Sequence, residues 1–107
     1  MLEVASSNFL KATTYLINNY PIKEKLTVHI AEGYDTIETP QGVGFGVFVP
    51  ETLEIFIAGE MPEKEKNLIK VLAHEFMHFL QYRDKRQYDE EEADAFAEEI
   101  YNKITEA

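Results

Sequence analysis

The sequence predicts an α+β fold: an N-terminal backing helix, a small three-stranded sheet with an exposed edge strand, and two C-terminal helices. Three observations predict this order. Apolar residues recur at helical spacing over residues 2–19, short β-branched segments follow between residues 26 and 57, and two further helical patterns come after them. The 107 residues are 45% hydrophobic, which suffices for one core, so we expect a single domain over residues 1–107.

The first helix is predicted over residues 2–19. Its apolar stripe recurs at intervals of three and four residues and consists of Leu2, Ala5, Phe9, Ala12 and Leu16. Pro21 ends the helix, because the residue before a proline is displaced from helical geometry.

Three short strands rich in β-branched or aromatic residues are predicted next. They are Leu26–Ile30, Val43–Val49 and Leu53–Ile57. Residues 32–42 are rich in glycine and proline and are predicted to form an exposed loop. The second and third strands are close enough in sequence to pair as a hairpin. Gly44 and Gly46 weaken an interior strand and suit a place where another backbone comes close.

Two helices follow the predicted sheet. A helix over about Met61–Arg83 should be buried, since apolar residues occupy most sides of its middle, and Pro62 suits its first turn. A last helix is predicted over about Glu90–Ile104. Asp89 would be its N-cap, and Glu92, three residues later, would complete a capping box.

Composition narrows the classes of partner and of metal ligand. The chain has 20 acidic and 10 basic residues, a formal net charge of −10, which disfavours nucleic acid and anionic membranes as partners. It has no cysteine, so any metal site must use histidine and carboxylate ligands. Because there is no long apolar run and no signal-peptide pattern, a cytoplasmic location is the default prediction.

The predicted buried helix contains the motif His74-Glu75-Phe76-Met77-His78. Four-residue spacing stacks His74 and His78 on one face, where two neutral imidazoles can share one tetrahedral zinc ion. Glu75 is offset from that face and can take a proton from a metal-bound water. Such polar groups are costly in a buried helix unless they are paired or metal-bound, so the motif predicts one zinc ion per chain.

A third protein ligand is needed, and the last helix is its best source. Helical phase turns Glu90 toward the apolar stripe of that helix, so we expect its carboxylate to point inward and bind the metal. Asp89, which also lies toward the inner face, is the runner-up. Asp94 lies one turn beyond Glu90 and can accept a hydrogen bond from a ligating histidine. His29, the only other histidine, is better explained as a strand-surface residue.

These residues carry a family resemblance. The motif at His74–His78, followed by Glu90-Glu91-Glu92-Ala93-Asp94-Ala95-Phe96-Ala97, resembles the gluzincin metallopeptidases. The second segment is similar to those of ImmA/IrrE-type regulatory proteases and HtpX-type membrane proteases. The chain as a whole most resembles the single-domain minigluzincins. Two departures are a short spacer before Glu90 and the small number of residues after it, where larger relatives carry a subdomain.

The resemblance implies roles for individual residues. His74, His78 and Glu90 would bind zinc, Glu75 would be the general base and acid, and Asp94 would orient a ligand histidine. Residues 42–49 would be an edge strand that pairs with a peptide substrate, chiefly through Gly44, Phe45, Gly46 and Val47. The group that stabilises the oxyanion would be one of three tyrosines: Tyr88, Tyr82 and Tyr101.

Two functions of different classes remain open at this point. The first is a zinc-dependent peptidase acting on peptides or unstructured proteins, which the resemblance implies is latent when the C-terminal tail or a second copy covers the cleft. Self-association through an exposed edge strand is physically reasonable. The second is a metal-stabilised module that binds a peptide or protein and hydrolyses nothing.

Overall fold

The computed structural model describes residues 7–106 and confirms the α+β class. The elements are helix α1 (Ser7–Asn19), strands β1 (Thr27–Ala31), β2 (Ile37–Thr39), β3 (Gly42–Gly44), β4 (Gly46–Val49) and β5 (Glu54–Ala58), and helices α2 (Lys64–Arg83) and α3 (Glu90–Thr105). Residues 2–6 of the predicted first helix lie outside the described residues. None of the helices in the described part of the chain is long and apolar enough to cross a membrane.

The main sheet has three strands in the order β1-β5-β4, which confirms the predicted three-stranded sheet. β4 and β5 pair antiparallel as the predicted hairpin. β1 runs parallel to β5, a pairing that the sequence pattern did not indicate. β4 therefore forms one edge of this sheet.

The predicted strand Val43–Val49 is wrong in its extent. The chain bends at Phe45, which separates two strands, and β4 begins at Gly46. Strand β3, before the bend, pairs antiparallel with β2 in a separate two-stranded sheet. The predicted loop over residues 32–42 contains β2. Gly42, with φ of 117°, closes this second hairpin in a conformation that other residues rarely adopt.

Helix α2 is the centre of the packing. It contacts α1 and α3 as well as strands β4 and β5. Its largest fully buried apolar side chains, Leu68, Ile69 and Phe79, belong to the same core as Ile55 and Ile57 of β5. The prediction of a buried helix is confirmed, and its polar residues Glu75, His78 and Gln81 are buried with it.

The start of α2 differs from the prediction. Glu63 has φ of 48° and ψ of 52°, a left-handed conformation that cannot belong to the helix, so Pro62 precedes the first turn rather than forming it. At α3, Asp89 is the N-cap as expected, and its carboxylate accepts the backbone N–H of Glu92 at 3.0 Å. The Glu92 side chain does not complete the box, because it accepts hydrogen bonds from Gln81 and Arg86 instead.

Candidate metal centre

Helix α2 holds two histidines one turn apart in its buried half. The ring centroids of His74 and His78 are 4.7 Å apart, with the ring planes at 86°. His78 is only 5% exposed, and His74 is partly exposed. The four-residue spacing therefore produces the shared face that the sequence predicted.

The first turn of α3 brings a carboxylate to both rings. The Glu90 carboxylate has one oxygen 3.0 Å from Nε2 of His74, and both of its oxygens are 3.3 Å from Nε2 of His78. Over residues 7–106, this is the one set of three histidine or carboxylate side chains with ligand atoms close enough to hold a metal ion.

The other ring nitrogens face hydrogen-bond acceptors. Nδ1 of His74 lies 2.9 Å from a carboxylate oxygen of Asp94, and Nδ1 of His78 lies 2.9 Å from the amide oxygen of Gln81. Both acceptors therefore require a proton on Nδ1, and in a neutral imidazole held this way the lone pair of Nε2 is directed toward Glu90. The expected contact between Asp94 and one of the two candidate ligand histidines is present in the structure.

This arrangement suits a cation. If both rings are neutral, two lone pairs and a carboxylate oxygen converge within 3.3 Å, and such acceptors repel one another unless a proton or a metal cation lies among them. Tetrahedral ligands about 2.0–2.1 Å from a zinc ion are themselves about 3.3 Å apart. His74, His78 and Glu90 can therefore hold a metal ion.

Glu90 differs from the prediction in its exposure. Its side chain is 69% exposed, so the prediction of an inward, buried carboxylate is wrong. The predicted direction of the Glu90 side chain is confirmed, because its carboxylate contacts both histidines from the rim of the site. Asp89, the runner-up, uses its carboxylate to cap α3. His29 lies on β1, where it contacts Glu54 at 2.8 Å and stacks on Phe56.

Glu75 is buried between α2 and the edge strand. Its side chain is 8% exposed, and burial is the main cause that raises the pKa of its carboxyl above the usual value. Charges on His74 and His78 act in the opposite direction, as does the backbone N–H of Phe48. Glu75 thus lies next to the candidate metal group without belonging to it.

Gly46 explains how β4 comes so close to this carboxylate. A Cβ at this position would lie 2.3 Å from Cγ1 of Val71 and 3.4 Å from Cγ of Glu75, so only glycine fits against α2. Gly44 is different, because its Cβ would meet only Cγ2 of Thr39 at 3.8 Å. Both glycines were expected to lie where another chain segment comes close. Gly46 does so, because α2 packs against it, whereas Gly44 lies in β3, outside the edge strand.

Two open cavities flank the candidate metal group, and both are lined by Gly46, His74 and Glu75. The larger, of about 770 Å³, extends along β4 and is also bounded by the β2–β3 hairpin, Tyr88 and Glu90. The smaller, of about 360 Å³, lies between α2 and α3. Both cavities therefore lie beside the start of the edge strand.

The three candidate tyrosines lie in different places. Tyr88 stacks on His78, with ring centroids 4.7 Å apart and planes at 30°, and lines the larger cavity. Tyr82 packs against Phe48 at 5.8 Å and lines neither of these two cavities. Tyr101 lies beneath the Lys70 ammonium, 5.6 Å from its ring centroid. Of the three, only Tyr88 is brought to the metal group.

Gln81 is the residue that the sequence reasoning missed. It is fully buried, and its amide oxygen contacts Nδ1 of His78. A signal was present in the sequence, since a polar residue three positions after His78 shares its helical face within an otherwise apolar run.

Comparison of the chain with protein-family models, with curated proteins and with solved structures finds no match. The candidate site is therefore defined by its own geometry, and the resemblance to gluzincins stays a prediction.

Proposed function

We propose that the chain is a zinc-dependent peptidase. The observation that carries the proposal is the convergence of His74, His78 and Glu90 beside the buried carboxylate of Glu75. Two imidazoles and one carboxylate form a donor set that zinc favours, and with three protein ligands one position remains for water. Structural zinc sites, by contrast, usually have four protein ligands.

The edge strand supports a peptide as the substrate. Phe45 accepts a backbone hydrogen bond from Ala58 at 2.9 Å, so by alternation Gly46 and Phe48 direct their backbone groups away from β5. The N–H of Phe48 already donates to the Glu75 carboxylate, so an extended peptide would pair by β-augmentation with the backbone groups of Gly46 and the carbonyl of Phe48. Its path passes both cavities and therefore the metal group.

The chemistry follows from the neighbouring groups. A bound zinc ion would supply a water of lowered pKa and polarise the peptide carbonyl. Glu75 would accept the water proton and deliver it to the leaving amine. Tyr88 is the tyrosine that we favour for stabilising the oxyanion, since it stacks on His78 at the cleft.

Glu75→Gln tests the mechanism. The variant should bind one zinc ion per chain, as the wild type does, but should not cleave an unstructured protein such as casein. Glu91→Gln, an exposed change of the same chemistry in the first turn of α3, is the matched control and should retain both properties. Cleavage by Glu75→Gln at the wild-type rate would contradict the proposed mechanism.

A metal-stabilised binding module is the second candidate. It is favoured by the openness of the site, since Glu90 and Asp94 are 69% and 74% exposed. A casein assay over a dilution series separates it from a latent peptidase that self-associates through β4 or the C-terminal tail. Activity that appears on dilution supports the latent peptidase, whereas zinc-loaded monomer without activity supports the module.

A further inference from the structure

The side chain of Gln81 uses its full hydrogen-bonding capacity. Its amide oxygen accepts from Nδ1 of His78 at 2.9 Å and from the backbone N–H of Asp89 at 3.2 Å. Its amide nitrogen donates to the backbone carbonyl of Asp89 at 3.2 Å and to the carboxylate of Glu92 at 2.8 Å. A fully buried amide with two donated and two accepted bonds has one orientation.

That orientation determines which nitrogen of His78 carries the proton. Because both N–H groups of Gln81 are directed to Asp89 and Glu92, its oxygen must face the ring. The oxygen accepts only from a protonated Nδ1, so in the neutral ring Nε2 carries the lone pair that a metal would bind.

The same amide also holds the segment that carries the third ligand. Asp89 directly precedes Glu90, and Gln81 bonds to both backbone groups of Asp89. Glu92 is held from the other side by Arg86. A single side chain on α2 thus contacts one ligand ring and the start of the helix that supplies another ligand.

We propose that Gln81 is a positioning residue that couples the docking of α3 to the orientation of His78 and so sets the affinity for metal. This inference rests on the metal-binding part of the proposed function and does not require hydrolysis. Loss of Gln81 should weaken metal binding although His74, His78 and Glu90 are all retained.

Two variants separate the roles of the amide. Gln81→Met keeps the length but removes every hydrogen bond, and Gln81→Glu keeps an acceptor for His78 but places a carboxylate against that of Glu92. Outer contacts to metal ligands typically contribute 10–100-fold in affinity, so we expect zinc dissociation constants raised by about that factor. Leu68→Ala, a buried change in the first half of α2, is the control. It should lower stability without changing the zinc affinity of the folded protein.

The measurements are zinc affinity by chelator competition, the visible absorption spectrum of the cobalt-substituted protein, and amide hydrogen exchange over residues 89–92. We expect the Gln81 variants to bind metal more weakly, to show an altered cobalt spectrum and to exchange faster in this segment. If Gln81→Met does not fold, Glu92→Ala is the substitute, since its backbone N–H can still reach Asp89. It should weaken zinc binding in the same direction but by less.

The inference would be overturned if Gln81→Met bound zinc with wild-type affinity. It would also be overturned if Gln81→Glu and Glu92→Ala both did so. An equal loss of affinity in Leu68→Ala would overturn it as well, because the effect would then follow stability alone. If the wild type binds zinc but cleaves nothing, only the peptidase proposal fails. If the wild type binds no zinc, both proposals fail.

Discussion

Gly46→Ala should disturb the fold and the site together. The added Cβ would lie 2.3 Å from Cγ1 of Val71 and 3.3 Å from the carbonyl oxygen of Phe56, so either β4 or the Val71 side chain must move by about 1 Å. Overpacking of this kind lowers the free energy of unfolding by about 1–3 kcal/mol. If the chain is the proposed peptidase, misplacement of its edge strand by about 1 Å should lower the rate of peptide cleavage by about 100-fold.

The assay is a double-mutant cycle with Val71→Ala, which removes the atom that the new Cβ would strike. Unfolding in urea, followed by circular dichroism, gives the free energies, and peptide cleavage gives kcat/KM. Val71 is only partly buried, so Val71→Ala alone should cost about 1 kcal/mol. In the Gly46→Ala background, the same change should restore stability and activity.

Gly44→Ala is the matched control, because its Cβ would meet only one atom, at 3.8 Å. This change should be neutral or stabilise the protein by about 0.4–1 kcal/mol. The steric explanation would be refuted if Gly46→Ala had wild-type stability. It would also be refuted if the changes in the free energy of unfolding of the two single variants summed to that of the double variant within about 0.5 kcal/mol.

Three further predictions concern ligands and charge. Glu90→Gln should lose zinc, whereas Asp89→Asn should keep it, because the Asp89 carboxylate caps α3. Metal analysis of the purified variants checks this. Loss of zinc in the Asp89 variant alone would contradict the assignment of Glu90 as the ligand. Asp94→Asn should lower zinc affinity by about tenfold or more, measured by chelator competition, since its carboxylate holds Nδ1 of His74. Glu54→Gln should be less stable than the wild type at neutral pH, because a hydrogen bond from the Thr52 hydroxyl, followed by one from a histidine, lowers the pKa of the Glu54 carboxyl. The stabilisation is present above the unfolded pKa and is lost as pH falls through the lowered folded pKa, so thermal unfolding midpoints of the two proteins should converge in acid.

Local periodicity made the helices and the metal group predictable. The four-residue spacing of His74 and His78 specifies a shared face wherever the segment is helical, and the N-cap at Asp89 sets the phase of Glu90. Exposure was not predictable in the same way. Helical phase gives the direction of a side chain, but not how far the neighbouring helix extends to cover it.

The parts that were missed depend on tertiary structure. β2 is three residues long and lies in a segment rich in glycine and proline. It pairs with β3, which is separate from β4 only because the backbone bends at Phe45. The parallel pairing of β1 with β5 joins residues far apart in sequence and leaves no local pattern. The partners of Gln81 depend on where α3 begins relative to α2, which periodicity within either helix does not specify.

The polar side chains of α2 link metal binding to stability. His74, His78 and Gln81 follow one face of a helix that is otherwise largely apolar, and burying such groups without partners costs free energy. Over the described residues, no buried side-chain nitrogen or oxygen lacks a hydrogen-bond partner. With both rings neutral, the contacts from Glu90 to the two Nε2 atoms nevertheless bring together groups that are all acceptors. A metal ion bound there would offset this repulsion in the folded chain, and unfolding would separate its ligands. Metal affinity and resistance to unfolding should therefore change together in every variant that alters these contacts.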